Sequence, residues 1–173
     1  MNLIDDEEWK DMWGFPNYKV SLLGRVLSLI GTPKIQKGKL NGSYHESSLS
    51  RKKELAITHP IAHYHKISEG VEYKTTFRIQ IVTHKLVMWH FRPIDNHPED
   101  IGLSMTEWLS LPHRAREIIK HGLQINHKDH DPSNNKLSNL EWCTTIENNQ
   151  SYRDSDKFVK VMASNRVNNT RSS

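Results

Sequence analysis

The sequence predicts an α+β fold with a small β-rich N-terminal region, and three observations predict it. Alternating apolar and polar residues recur early, in "NYKVS", "RVLSL" and "VEYKTTFRIQIVTH". Helical spacing appears later, in "HKLVMWHF" and "LPHRAREIIKHG". Near residue 125 an extended run, a turn, a second extended run and a helix start follow one another within about 30 residues. Period two marks strands and period 3.6 marks helices.

In chain order, "NYKVS" and "RVLSL" flank Leu23-Gly24, which reads as the turn of a small hairpin. Residues 31–70 are rich in Gly, Lys, Ser and His and are expected to form loops around weak strands. "VEYKTTFRIQIVTH", with its Val, Thr, Ile and aromatics, predicts a strand or a hairpin pair. "HKLVMWHF" places Leu86, Val87, His90 and Phe91 at helical spacing, so a short helix should pack on that sheet. Ser104 and Glu107 form a capping-box pattern ahead of "WLSL". Pro112 near the start of "LPHRAREIIKHG" and Gly122 past its end bound another helix. "QINHK" and "SNLEWCT" read as short strands around "DHDPSNN", where Pro132 enforces a bend. Thr144 and Glu147 match a second capping box, so a helix starts around Thr145. The tail from Ser151 is expected to be helical at best near "DKFVKVMAS" and frayed beyond.

The 173 residues suit one domain, or a domain with a small appendage. With 35% apolar and 25% charged residues the core should be modest. No apolar run approaches the ~18 residues of a membrane span. The start, "MNLIDDEEW", is acidic and lacks a signal-peptide core, so a cytoplasmic protein is expected. A single cysteine, Cys143, excludes an internal disulfide and argues against a thiolate zinc site. The net charge of +4 is unevenly spread. "DDEEWKD" is acidic, whereas "PKIQKGKL", "SRKKEL" and the tail with Lys157, Lys160, Arg166 and Arg171 are basic. Segregated positive charge suits a polyanion, and a solvated face is the bland alternative.

The stretch "INHKDHDPSNNKLSNLEWCTTIENN" places His127 on the first strand, Asn139 at the loop's end and Asn148 on the first turns of the helix. Such a unit is expected to bring all three toward one concave face. Trp142, Leu140 and Cys143 read as core between hairpin and helix. For His84 and His90, core or cap roles are favoured over an approach to the site. His59, His63 and His65 in "HPIAHYH" tempt a zinc reading, but exposed loop histidines are commoner.

The residues "NHKD", "NN", "NLEW" and "EN", with twelve positions from His127 to Asn139 and nine more to Asn148, resemble the HNH endonucleases. These are also called ββα-metal or His-Me finger nucleases, and the likeness is to the branch whose motif ends in asparagine. "HKLVMWHF" looks like the helix before that motif, and "W…GF…YKVS…GRVLSL" is similar to a nuclease-associated modular motif (about residues 7–30) of phage and intron-encoded homing endonucleases. The resemblance implies a metal-dependent endonuclease that hydrolyses phosphodiester bonds of double-stranded DNA. A DNA-binding regulatory protein with a non-cleaving finger is the alternative. A toxin nuclease is a third class, and no delivery signal is visible.

Carried over residue by residue, the resemblance makes His127 the general base, which suits an imidazole near neutral pH. It makes Asn126 and Asn148 oxygen ligands of one divalent metal, with Mg²⁺ favoured and Mn²⁺ a substitute. Asn139 would bond backbone groups across the loop and fix His127. The basic loops at Lys34, Lys37 and Lys39 and at Arg51, Lys52 and Lys53 are expected to hold DNA phosphates, with Arg25, Arg78 and Lys85 as further candidates. The family's turn glycine is replaced in "HKDHD", so His130 or Asp131 must take any left-handed conformation. The expected division is 1–83 for the DNA-contacting region, 84–150 for the nuclease domain with a helical insertion at about 92–123, and 151–173 for a basic tail. Oligomeric state is left open.

Overall fold

Two small antiparallel sheets and a β-ribbon are joined by short helices, an α+β arrangement. The computed structural model describes residues 7–52, 71–72 and 76–155. The first sheet has the order β1 (Trp9–Asp11), β2 (Tyr18–Ser21), β3 (Val26–Ser28) and β4 (Lys34–Ile35). β2 and β3 are the expected hairpin, with Tyr18 opposite Ser28. Its turn closes through Ser21 N–H to the Arg25 carbonyl (2.9 Å) and Gly24 N–H to the Ser21 carbonyl (3.1 Å). Gly24 has φ +79°, and a Cβ there would lie 2.6 Å from the carbonyl oxygen of Asn135. Glycine is therefore required twice over, by backbone angle and by close approach.

The second sheet has the order β5 (Lys39–Asn41), β6 (Tyr44–Lys52), β8 (Thr76–Val82) and β7 (Val71–Glu72). Its strand β6 corrects the expectation of loops over 31–70, since it runs for nine residues and pairs with β8 from Glu46–Val82 to Lys52–Thr76. The sequence hides this strand because its inward positions alternate Ser47 and Leu49, both buried, and a serine breaks the apolar signal. Arg51 and Lys52 consequently lie on a paired strand and not in a basic loop. Lys53, the histidines at 59, 63 and 65, the helix expected near "DKFVKVMAS" and the tail cations Lys157, Lys160, Arg166 and Arg171 lie outside the described residues.

Helix α1 (Thr83–Phe91) follows β8 directly and buries every residue except Lys85. The connection to the ribbon holds a 3₁₀ turn at Pro98–Ile101, helix α2 (Met105–Ser110) and helix α3 (His113–Gly122). The Ser104–Glu107 capping box is present. Gly122 ends α3 without a turn beyond it, and the chain passes straight into β9 (Leu123–His127). β9 pairs with β10 (Leu140–Thr144), His127 opposite Leu140. Helix α4 (Thr145–Asp154) starts at the Thr144–Glu147 capping box. It continues past the expected boundary at 150.

One hydrophobic cluster runs through the molecule. It joins Phe15 of the β1–β2 connection, Tyr18 and Val20 of the first sheet, Leu49, Ile79 and Ile81 of the second, Leu86 and Met88 of α1, Trp108 of α2, and Leu140 and Trp142 of β10. The regions 1–83 and 84–150 therefore share their core. Polar bonds reinforce the joint: Leu137 N–H donates to the Leu22 carbonyl (2.8 Å), and Trp142 Nε1–H donates to the Arg92 carbonyl (2.7 Å). Among the described residues no helix is long and apolar enough to cross a membrane.

Candidate active site

Strand alternation sends neighbouring side chains of β9 to opposite faces of the ribbon. Leu123, Ile125 and His127 face α1 and the core; Gln124 and Asn126 face α4. His127 is 6% exposed, and its ring packs edge-to-face on His84 of α1 at 5.1 Å between centroids. Tyr44, at the start of β6, completes the cluster, 5.3 Å from the His84 ring and 6.2 Å from that of His127.

On its other side the His127 Nε2 lies 3.3 Å from Asn135 Oδ1. The amide of Asn135 is oriented by its Nδ2–H bond to the Ser133 carbonyl (3.2 Å), which turns Oδ1 toward the imidazole. An oxygen there can only accept, so the neutral ring carries its proton on Nε2 and keeps the Nδ1 lone pair. Burial lowers the His127 pKa from its ordinary value, while the Asn135 bond and the charges of Asp129 and Asp131 pull weakly the other way. The imidazole is thus neutral at pH 7 and able to accept a proton.

The loop after His127 is held by its own short side chains. Asp129 Oδ1 accepts the Asp131 N–H (2.9 Å), and Asp131 Oδ1 accepts the Ser133 N–H (2.9 Å). Between them His130 takes the left-handed conformation at φ 57°, in place of a glycine. Asn139 closes the loop from within: its Oδ1 accepts the Asp129 N–H (3.1 Å), and its Nδ2 donates to Asp129 Oδ1 (2.9 Å) and to the Asn134 carbonyl (2.8 Å). Asn139 therefore points into the loop and not onto a concave face with His127. Desolvation would raise the Asp129 pKa, but hydrogen bonds from Asn134, the Asp131 backbone and Asn139 bring it down to about 2. The Asp129 carboxylate is committed to the loop on both oxygens, with Asn134 Nδ2 on the second (2.7 Å).

On the α4 side, Asn126 is buried and donates from Nδ2 to Glu141 Oε1 (2.8 Å) and Ser151 Oγ (3.2 Å). Asn148 donates from Nδ2 to Gln124 Oε1 (2.7 Å). Both amides are therefore anchored through nitrogen, and no hydrogen bond from a described residue reaches either Oδ1. Two hard neutral oxygens left open suit Mg²⁺, which keeps waters and takes phosphate oxygens as further ligands. Among the described residues no group of three or more His, Cys, Asp or Glu could hold a metal ion. Cys143 is no alternative ligand: burial, then Glu141 and Glu147, pushes its thiol up to about 11.

The expected DNA contacts scatter. Lys34 of β4, Lys37 of the following loop, Lys39 of β5, Arg78 of β8 and Lys85 of α1 are exposed. Lys37 lines a recess of about 170 Å³ that also holds Ser133 and Asn135, so the basic run reaches the loop after His127. Arg25 instead is half-buried, ion-paired with Glu7 and set over the Trp9 ring at 5.8 Å. That pairing neutralises the charge a phosphate would need. His90 is a core residue, its Nδ1 bonded to the Leu86 carbonyl (2.7 Å) and its Nε2 to Trp13 N–H (3.1 Å).

Sequence reasoning passed over Asn135, Tyr44 and Glu141 and favoured a core or cap role for His84 over an approach to the site. The signal for His84 was a polar Thr83-His84-Lys85 start to an otherwise apolar helix. Asn135 had none, standing among equivalent amides.

Residues 117–150 match the family model of the HNH endonucleases, a span that contains Asn126, His127, Asn139 and Asn148. Over this segment, about a fifth of its length, the chain is similar to the HNH endonucleases. The chain is also similar to a solved structure described as "DNA binding and cleavage by the HNH homing endonuclease I-HmuI", at 24% identity and TM-score 0.48, over 89% of this chain and 65% of that one. It thus spans just under two thirds of that protein's length. No curated protein matches.

Proposed function

We propose that the chain is a divalent-metal-dependent endonuclease for double-stranded DNA, of the homing type carried by phages or mobile elements, with His127 as general base. The observation that carries the reading is the state of that imidazole. It is neutral, its proton is fixed on Nε2 by Asn135, and the loop behind it is pinned by Asn139. Nδ1 can then take the proton of a water attacking phosphorus, and the loop fixes the direction of that lone pair. The open Oδ1 atoms of Asn126 and Asn148 would hold one Mg²⁺, which supplies positive charge beside the leaving oxygen. Lys34, Lys37 and Lys39 would fix the duplex through phosphates, without reading bases.

Incubation of purified protein with supercoiled plasmid and Mg²⁺ or Mn²⁺ tests this. Relaxed circles indicate nicking and linear product indicates double-strand cleavage. Absence of both in the wild type, or equal cleavage by folded His127→Ala, overturns the reading.

A further inference from the structure

We propose that the start of α1, with the His84 imidazole and the Lys85 ammonium, binds a backbone phosphate of the DNA strand beside the one cut at His127. The inference rests on the nuclease reading above and adds a subsite to it.

Four observations converge on that place. α1 opens on Val82, whose side chain caps nothing, and no acidic residue stands in its first turn. The partial positive charge of the first N–H groups is therefore uncompensated, the condition under which helix starts take anions. His84, the second residue of the helix, is only 8% exposed, yet no hydrogen bond from a described residue reaches its ring, and Nδ1 is enclosed without a partner. Nδ1 is sealed from the cavity, so Nε2, which keeps accessible surface and takes no hydrogen bond from a described residue, is the nitrogen that a ligand can complete. Lys85 is the one exposed residue of α1, and its ammonium forms no ion pair with any described residue.

The fourth observation is the cavity itself. His84 and Lys85 line a space of about 470 Å³ with Tyr44, Gln124 and Asn148 on its other walls, and no acidic side chain lines it. Lys120 also borders it, but is ion-paired with Asp95 (2.9 Å) and Glu117 (2.6 Å), which leaves Lys85 as the available ammonium. Asn148 is a proposed metal ligand, and His84 packs on His127. The cavity therefore adjoins both groups of the proposed cleavage site, through its own wall residue Asn148 and through the His84 ring stacked edge-on against His127. A phosphodiester accepts hydrogen bonds and carries one negative charge, which is what a neutral imidazole N–H, an ammonium and a helix start together recognise.

The test uses the full chain in EDTA and a short duplex spanning a break mapped on the plasmid, with single methylphosphonates that remove one phosphate charge at a time. Wild type should lose about tenfold in affinity at one position next to the break. Lys85→Ala should lose nothing further there, and its slope of log K against log salt should be shallower by about 0.9. Lys85 is exposed, so this variant folds. His84→Gln, which keeps a donor, should retain the methylphosphonate sensitivity that His84→Leu loses. Equal penalties in wild type and Lys85→Ala at every position, with an unchanged salt slope, would overturn the subsite and leave the nuclease reading standing. A wild type that leaves the plasmid intact, with no break to map, would remove the nuclease reading and the subsite with it.

Discussion

Replacing Asn139 by alanine removes three side-chain hydrogen bonds at once. Two are neutral, from the Asp129 N–H and to the Asn134 carbonyl, and each contributes about 1 kcal/mol. The third, to the Asp129 carboxylate, is charge-assisted, but that carboxylate is exposed and water replaces part of it. The expected loss is about 3 kcal/mol, which for a chain of this length lowers the melting temperature by roughly 6–12 °C. The backbone bond from Lys128 N–H to the Asn139 carbonyl (2.9 Å) survives, so the ribbon persists while the loop loosens. His127 then loses the fixed direction of its lone pair, and kcat should fall with KM little changed. Asn139→Asp should be worse, because a second carboxylate would face Asp129 where a donor now stands at 2.9 Å. Thermal unfolding and plasmid cleavage, measured well below both melting points, check the pair. An unchanged melting temperature for Asn139→Ala would refute the account of the loop.

Four further outcomes are expected. His127→Ala should lower the cleavage rate by on the order of 10²–10⁴ while duplex binding persists, and the acid limb of the wild-type rate profile should lie below pH 6.5, since burial lowers this pKa. Acid should destabilise the fold through His84, whose pKa is held down to about 3 by burial, then by His127 and Lys85. Below pH 6.5 the unfolded chain takes up a proton that the folded chain refuses. Stability should therefore fall as pH drops from 6.5 toward 3, by up to about 1.4 kcal/mol per unit, and denaturant titrations of His84→Phe should show a flatter limb. Gly24→Ala should cost at least about 1–2 kcal/mol from its left-handed angle, plus displacement of Asn135, with a loss of cleavage that Asn135→Ala reproduces. Asn126→Asp should unfold more readily without metal, because it faces Glu141 where Nδ2 now donates at 2.8 Å, and Mn²⁺ should raise its melting temperature more than that of wild type. Equal Mn²⁺ shifts would remove position 126 from the metal site.

The parts of the candidate site that were legible in the sequence are those fixed by local geometry. His127, Asn139 and Asn148 lie on consecutive elements, so their spacing alone encodes a ribbon and a helix. The two capping boxes and the left-handed residue at 130 were legible for the same reason. Tyr44 and His84 reach His127 across more than 40 positions of chain, and no local pattern carries such a contact. Asn135 stands beside an identical amide, and only the packing of Gly24 against its backbone singles it out. Strand β6 escaped detection because serine fills an inward position, where the first residue of α1, Thr83, brings its Oγ1 to 3.2 Å from the Ser47 hydroxyl.

The core that joins the N-terminal sheets to the ribbon limits how this chain can be cut or recombined. Residues 84–155 made alone would leave the faces of α1 and β10 that now meet Val20, Leu49 and Ile79 open to water. A fragment holding every motif residue would aggregate or stay unfolded, and grafting the finger onto a foreign binding module would need matching apolar surfaces. The smallest inheritable cassette is consequently the sheets and the finger together.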